Sequence, residues 1–199
     1  PKIQDVLKLS TDENPYPPSP NIVAAVQAFL ENSADALRLY PDPDATALKQ
    51  AIAKQQNVDV ENVFVGNGSD EVLAHIFKAF FVQEKPILYP DITYSFYPVY
   101  SQFFGIAEKT KILPLNDDFE IEVNDYKQPN GGIIITNPNA PTSIALGLSA
   151  IEEVLQANPD SVVLIDEAYV DFGAESAVSL VEKYDNLVVC QTMSKSRSL

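Results

Sequence analysis

Three short stretches place reactive side chains where an apolar run stops. In "NLVVCQTMSKSRS", Lys195 follows such a run and stands between Ser194 and Ser196. A lysine whose amine is held unprotonated can condense with a carbonyl, and the hydroxyls beside it can hold a phosphate; a solvated loop lysine is the plainer alternative. In "LIDEAYVDF", Asp166 ends another apolar run. A carboxylate there is costly unless it meets a cation or hydrogen-bond donors, although Asp166 and Glu167 could simply open a helix. In "VFVGNGSDEVL", the turn can aim the backbone N–H groups of Gly68, Ser69 and Asp70 at an anion, at the positive end of the following helix. It can equally be a glycine turn capped by Ser69 or Asn67, and its spacing is neither that of a Walker A loop nor that of a dinucleotide fingerprint. Tyr94, shortly after "PILYP", offers a ring that could stack on a planar ligand or join the core.

These stretches need a scaffold that brings strand ends together. "PILYP", "GGIIIT", "SVVLID" and "NLVVC" read as buried strands, and "NVFV" as a short one entering the glycine turn. Helical spacing appears in "NIVAAVQAFLEN" (Ile22, Val26, Phe29, Leu30), in "DATALKQAIAKQQ" (Leu48, Ile52) and in "EVLAHIFKAFF" (Val72, Ile76, Phe80). "LSAIEEVLQANP" adds a helix with Ser149 and Glu152 as a capping box and Pro159 as its stop, and a further helix is expected near Ser176 to Lys183. Continuous apolar strands joined by helices imply an α/β fold, a mostly parallel sheet between two helical layers. In such sheets ligands bind beyond the carboxyl ends of the strands, where "GNGSDE", "TNPNAPT", "DEAY" and "TMSK" all fall.

Composition narrows the function classes. The 199 residues carry 28 acidic against 13 basic side chains, a formal charge of −15, which argues against a nucleic-acid or anionic-membrane surface. No stretch has the length of a membrane span, and the first twenty residues lack the apolar core of a signal peptide. The single cysteine, Cys190, excludes an internal disulfide and a Cys-rich zinc site, and the single histidine, His75, sits mid-helix, away from the acidic clusters. A cytoplasmic protein without a bound metal is the expectation.

Taken together and in this order, the clusters resemble the fold type I pyridoxal-phosphate aminotransferases, over essentially the whole chain. "LSTDENPYPPSP", "LRLYPDPDATALKQAIA" and "VFVGNGSDEVL" are similar to the class II-type histidinol-phosphate branch of that superfamily. The resemblance implies pyridoxal 5'-phosphate as cofactor, and transfer of the amine of L-histidinol phosphate to 2-oxoglutarate, giving imidazole-acetol phosphate and glutamate. Other class II-type or aromatic aminotransferases, a phospho-amino-acid decarboxylase, and a non-enzymatic α/β binding domain stand as alternatives. It further implies a homodimer, an N-terminal arm over 1–20, a large cofactor-binding domain over 21–199 that is incomplete, and a small C-terminal domain lying outside this chain. The chain alone is then expected to be inactive and to bind cofactor weakly.

By the same resemblance, Lys195 is the cofactor-linked lysine and catalytic base, Asp166 the partner of the pyridine nitrogen, and Tyr169 the partner of the phenolic oxygen. Tyr94 stacks on the ring, while Ser69, Asp70, Thr192 and Ser194 hold the phosphate. Tyr40 reaches the partner subunit's cofactor, and Tyr16 lies near substrate. Two departures stand out. "NPNAPTS" has Ala140 where the family's asparagine bonds the cofactor oxygen, so Asn139 is the expected substitute, with Asn137, or Tyr169 alone, as the alternatives; and Ser143 replaces a glycine. The family's phosphate-binding arginine lies beyond the lysine, and Arg197 does not match its position.

Overall fold

The computed structural model describes residues 13–199. Its five strands are β1 (Ile87–Pro90), β2 (Thr110–Leu113), β3 (Gly132–Thr136), β4 (Val163–Asp166) and β5 (Leu187–Cys190). They form one sheet in the order β2-β1-β3-β4-β5, every neighbouring pair parallel. The register sets Thr136 beside Asp166 and Asp166 beside Cys190, so three strands finish level and their following loops leave the same edge.

Side chains alternate between the two faces, and each face has its own core. Ile87, Tyr89, Ile134, Leu164 and Cys190 pack with Leu73 and Ile76 of α3 (Gly68–Ile76), with Phe77 and Phe81 of the π-helical turn after it, and with Tyr97 and Tyr100 of α4 (Tyr97–Phe103). Leu88, Ile133, Ile135, Val163, Ile165 and Leu187 pack with Ile151, Val154 and Leu155 of α5 (Leu148–Ala157), and with Ala177 and Leu180 of a 3-10 turn. The three-layer α/β/α arrangement follows from strands that are apolar on both faces. Gly132 opens β3 because Phe81 lies against it: a Cβ there would come within 2.4 Å of the Phe81 ring.

The chain falls into two compact units. Thr46–Thr192 holds the sheet and α2 (Thr46–Gln56); the other comprises the described residues up to Ala45, with α1 (Pro20–Ser33), and Met193–Leu199. Residues 1–12 of the expected arm lie outside the described residues. The apolar stripe of α1 is uncovered: Val26, Phe29 and Leu30 are each about half exposed.

Several local expectations are corrected. "NVFV" is not a strand; Val60–Asn62 forms a 3-10 turn and Phe64 is exposed, its ring meeting His75 edge-on. Strand β2 occupies an edge, with Lys111 and Ile112 exposed, and so lacks the apolar continuity of the inner strands. The buried stripe on α3 is Leu73, Ile76, Phe77 and Phe81, and Phe80 faces out, because the π turn shifts the phase of the last residues. Ser149 lies inside α5, which is preceded by Gly147 and has no side-chain cap, while Glu152 instead bonds Lys183 and accepts from Tyr184 Oη at 2.9 Å. The helix expected near Ser176 is a 3-10 turn over Ala177–Leu180.

Candidate active site

Asp166 is 3% exposed at the carboxyl end of β4. Its Oδ2 accepts from Tyr97 Oη at 2.7 Å, and its Oδ1 accepts the backbone N–H of Ala168 at 3.2 Å. Among the described residues no cation pairs with it. Burial pushes its carboxyl from 3.8 up to about 6, against the opposing pull of the Tyr97 and Ala168 hydrogen bonds, with Asp70 and Glu167 adding to the rise. Tyr97, fully buried, also meets Thr136 Oγ1 at 2.7 Å. Thr136 in turn meets Thr93 Oγ1 at 3.0 Å, and Thr93 donates to Asn139 Oδ1 at 2.9 Å. A chain of hydroxyls therefore runs from Asp166 through α4 and β3 to the loop after β3.

That loop is held by its own asparagines. Asn137 donates to the Leu146 carbonyl at 3.1 Å and accepts the Leu146 N–H at 2.8 Å. Asn139, 3% exposed, donates to the Ile92 carbonyl at 2.9 Å and to Thr142 Oγ1 at 3.1 Å. Both amides are thus committed to the protein, which counts against either standing in for the asparagine missing at Ala140. Ser143 has φ +63°, the left-handed conformation that favours glycine, and its N–H closes the turn on the Asn139 carbonyl at 2.7 Å.

Around Asp166 the same unit gathers further expected residues. The Tyr94 ring lies edge-on to Tyr97 at 5.5 Å, and Tyr94 Oη donates to Asp70 Oδ1 at 2.9 Å. Burial, then the bond to Asp70, pushes the Tyr94 phenol well up, and nearby Asp166 and Tyr169 add to the effect. Tyr100 Oη donates to the Asp70 carbonyl at 2.8 Å, fixing the first turn of α3. Gly68 opens that turn at φ +81° with open space on its Cβ side, and no side chain caps the helix. Ser69 is half-buried there, α3 packs beside β5, and Thr192 is buried just past the β5 end. Tyr169 is half-buried, its ring 6.3 Å from that of Phe172.

Lys195 and Ser194 belong to the other unit, with Tyr16 and Tyr40. There Asn14 pins the lysine loop: its amide donates to the carbonyls of Lys195 at 3.2 Å and Ser196 at 3.0 Å, and to Ser198 Oγ at 2.8 Å. Ser198 Oγ donates to the Tyr16 carbonyl at 3.1 Å, so the arm tyrosine and the lysine loop are brought together. Tyr40 is fully exposed.

Tyr97, Thr93, Thr136 and Asn14 carry no motif that marks them as site residues in the sequence. Tyr97 was legible as core, and its hydroxyl was the overlooked signal, since a buried tyrosine usually finds a hydrogen-bond partner. Glu167 was also unassigned. It is 1% exposed on the opposite sheet face, where its carboxylate accepts from Ala177 N–H at 2.6 Å, Ser176 Oγ at 2.7 Å and Gln191 Nε2 at 2.8 Å.

The family description aminotransferase class I and II matches residues 4–199. The chain belongs to that family. It is 80% identical over all its 199 residues to the histidinol-phosphate aminotransferase of Acinetobacter baumannii (strain SDF), covering 55% of that protein. It is 62% identical to histidinol-phosphate aminotransferase 2 of Dechloromonas aromatica (strain RCB), covering 56% of it. The chain thus spans about half the length of these curated relatives. The crystal structure of histidinol-phosphate aminotransferase from Sinorhizobium meliloti in complex with pyridoxal-5'-phosphate superposes with a TM-score of 0.76 at 21% identity, over 95% of this chain and 52% of that one. It shares the class I and II aminotransferase fold described above.

Proposed function

We propose that the chain forms the cofactor-binding part of a pyridoxal-phosphate aminotransferase that exchanges the amine of L-histidinol phosphate with 2-oxoglutarate. The observation that carries the chemistry is Asp166: a buried carboxyl at a strand end, with one oxygen held by Tyr97 and no cation of its own among the described residues. A protonated ring nitrogen supplies what such a carboxyl lacks. The donor set around it fits the same group, with an aromatic ring at Tyr94 and an uncapped helix start at Gly68 to Asp70. The substrate reading rests on the names and high identity of the curated relatives.

When bound, pyridoxal phosphate supplies a carbonyl for an amine to condense with and a ring that withdraws electrons from the substrate Cα. Lys195 Nζ would supply that amine and would be the base for the proton of that Cα. Asp166 would keep the ring nitrogen protonated, and Tyr94 would offer its ring for stacking on the cofactor ring. The Ser69 and Asp70 N–H groups, with the hydroxyls of Thr192 and Ser194, bind the phosphate. Tyr169 donates to the phenolic oxygen alone, because Asn139 is committed to its loop. Tyr16 lines the substrate side, and Tyr40 serves the neighbouring subunit of a homodimer. The uncovered apolar side chains of α1 support self-association, and the buried free thiol of Cys190 suits a reducing cytoplasm.

The test uses the full-length protein. Pyridoxal phosphate should give an absorbing adduct that disappears in Lys195→Ala, and histidinol phosphate should be turned over in preference to phenylalanine. Absence of a lysine-dependent adduct overturns the chemistry. Turnover of phenylalanine with none of histidinol phosphate overturns the substrate.

A further inference from the structure

The hydroxyl chain beside Asp166 has a proton count that depends on Asp166. It contains four hydrogen bonds: Asp166 to Tyr97, Tyr97 to Thr136, Thr136 to Thr93, and Thr93 to Asn139. The far end is an acceptor without a proton, because the Asn139 amide hydrogens face the Ile92 carbonyl and Thr142 and its Oδ1 must face Thr93. Tyr97, Thr136 and Thr93 bring one hydroxyl hydrogen each. With Asp166 ionised both ends only accept, and three hydrogens cannot fill four bonds, so two oxygens meet at about 2.7–3.0 Å with no proton between them. With a proton on Asp166 the bond that Tyr97 donates to the ionised carboxylate reverses, and all four are filled in one direction, from Asp166 towards Asn139.

We propose that Tyr97, Thr136 and Thr93 are positioning residues that favour the protonated form of Asp166 in the cofactor-free protein, so that the carboxyl keeps its proton to a higher pH than it would if its ionised form could be satisfied, and an aromatic ring nitrogen then takes that proton. This rests on the proposed pyridoxal-phosphate function and adds to it how the protein limits a buried, unpaired charge at Asp166 before the cofactor binds. The balance is simple: the Asp166 O–H bond breaks, a ring N–H forms, and the carboxylate left behind faces the cation it has created. The acids around Asp166 act in the same sense: Asp70 on α3 and Glu167, which follows β4 and faces the other side of the sheet, both raise it, while burial pushes the Tyr94 phenol and the Cys190 thiol up so that neither brings a charge.

The proposal makes a prediction that burial alone does not. Removing a polar neighbour ordinarily makes a buried carboxylate harder to ionise. Here Thr93→Val or Thr136→Val shortens the chain, so that the remaining hydroxyls satisfy the ionised carboxylate completely. The midpoint of Asp166 should therefore fall by about one pH unit, the worth of one net hydrogen bond. The measurement is a carbon-13 NMR titration of the side-chain carboxyl in the full-length protein freed of cofactor, the resonance being assigned by its loss in Asp166→Asn. A fall in both variants supports the proposal; a midpoint that stays or rises in either overturns it. The titration involves no cofactor, so its failure leaves the proposed function standing, and a missing lysine-dependent adduct leaves the titration standing.

Discussion

Replacing Asp166 by asparagine should make the cofactor-free chain more stable at neutral pH. Burial raises this carboxyl from 3.8 to about 6, so between those values the folded state keeps a proton that the unfolded chain has released. Stability then declines as pH rises through that window, and the full loss persists above it. The shift corresponds to about 3 kcal/mol at pH 7 and above. An asparagine carries no charge to desolvate, and its NH2 group can donate to Tyr97 Oη as a protonated Asp166 would. Urea unfolding at pH 4, 6 and 8 measures the difference: close to zero at pH 4, growing to about 3 kcal/mol at pH 8, or about 1.5 M in midpoint for an m of about 2 kcal/mol/M. A variant less stable than the parent at pH 8, or a difference that does not change with pH, refutes the reasoning. In the full-length enzyme the same substitution should abolish transamination, the usual exchange of activity for stability at a strained site.

Other substitutions probe the scaffold. Ser143→Gly should stabilise the chain by about 0.5–1 kcal/mol, since it relieves a left-handed serine while the turn hydrogen bond stays; a higher urea midpoint at unchanged m is the expected reading. Glu167→Leu should cost about 3 kcal/mol, because the Ala177 N–H, Ser176 Oγ and Gln191 Nε2 lose their acceptor; an unchanged thermal midpoint would contradict this. Gly132→Ala should destabilise by about 1–3 kcal/mol by driving a methyl into Phe81, and Phe81→Leu in the same chain should recover part of that loss in urea unfolding.

The sheet was largely legible because its inner strands are apolar on both faces, a pattern that needs no tertiary information. The edge strand β2 was not, since Lys111 and Ile112 face solvent and only Leu113 is well buried. "NVFV" has strand-forming residues but pairs with no strand among the described residues, so composition alone misled there. Asp166 announced itself as a carboxyl at the end of an apolar run. Its partner Tyr97 did not, because it comes from a helix far away in sequence and its ring reads as core while its hydroxyl acts in the site. The loop asparagines show the same limit: the family resemblance offered Asn139 as a ligand group, and only the folded loop reveals that its amide is committed to Ile92 and Thr142.

The adjacent acids of β4 and its exit illustrate how little residue type says by itself. Asp166 and Glu167 differ by one methylene, yet the two-residue period of the strand sends one to the Tyr97 side and the other to the Ser176 side. The sheet works as a sorter, giving one carboxyl a reactive fate and the other a masonry role, braced by three donors. Swapping the two letters would conserve composition, charge and local hydropathy while putting the longer acid among hydroxyls spaced for the shorter one. A one-residue insertion in β4 would do the same to every side chain that follows, so this strand should tolerate changes of apolar identity far better than changes of length.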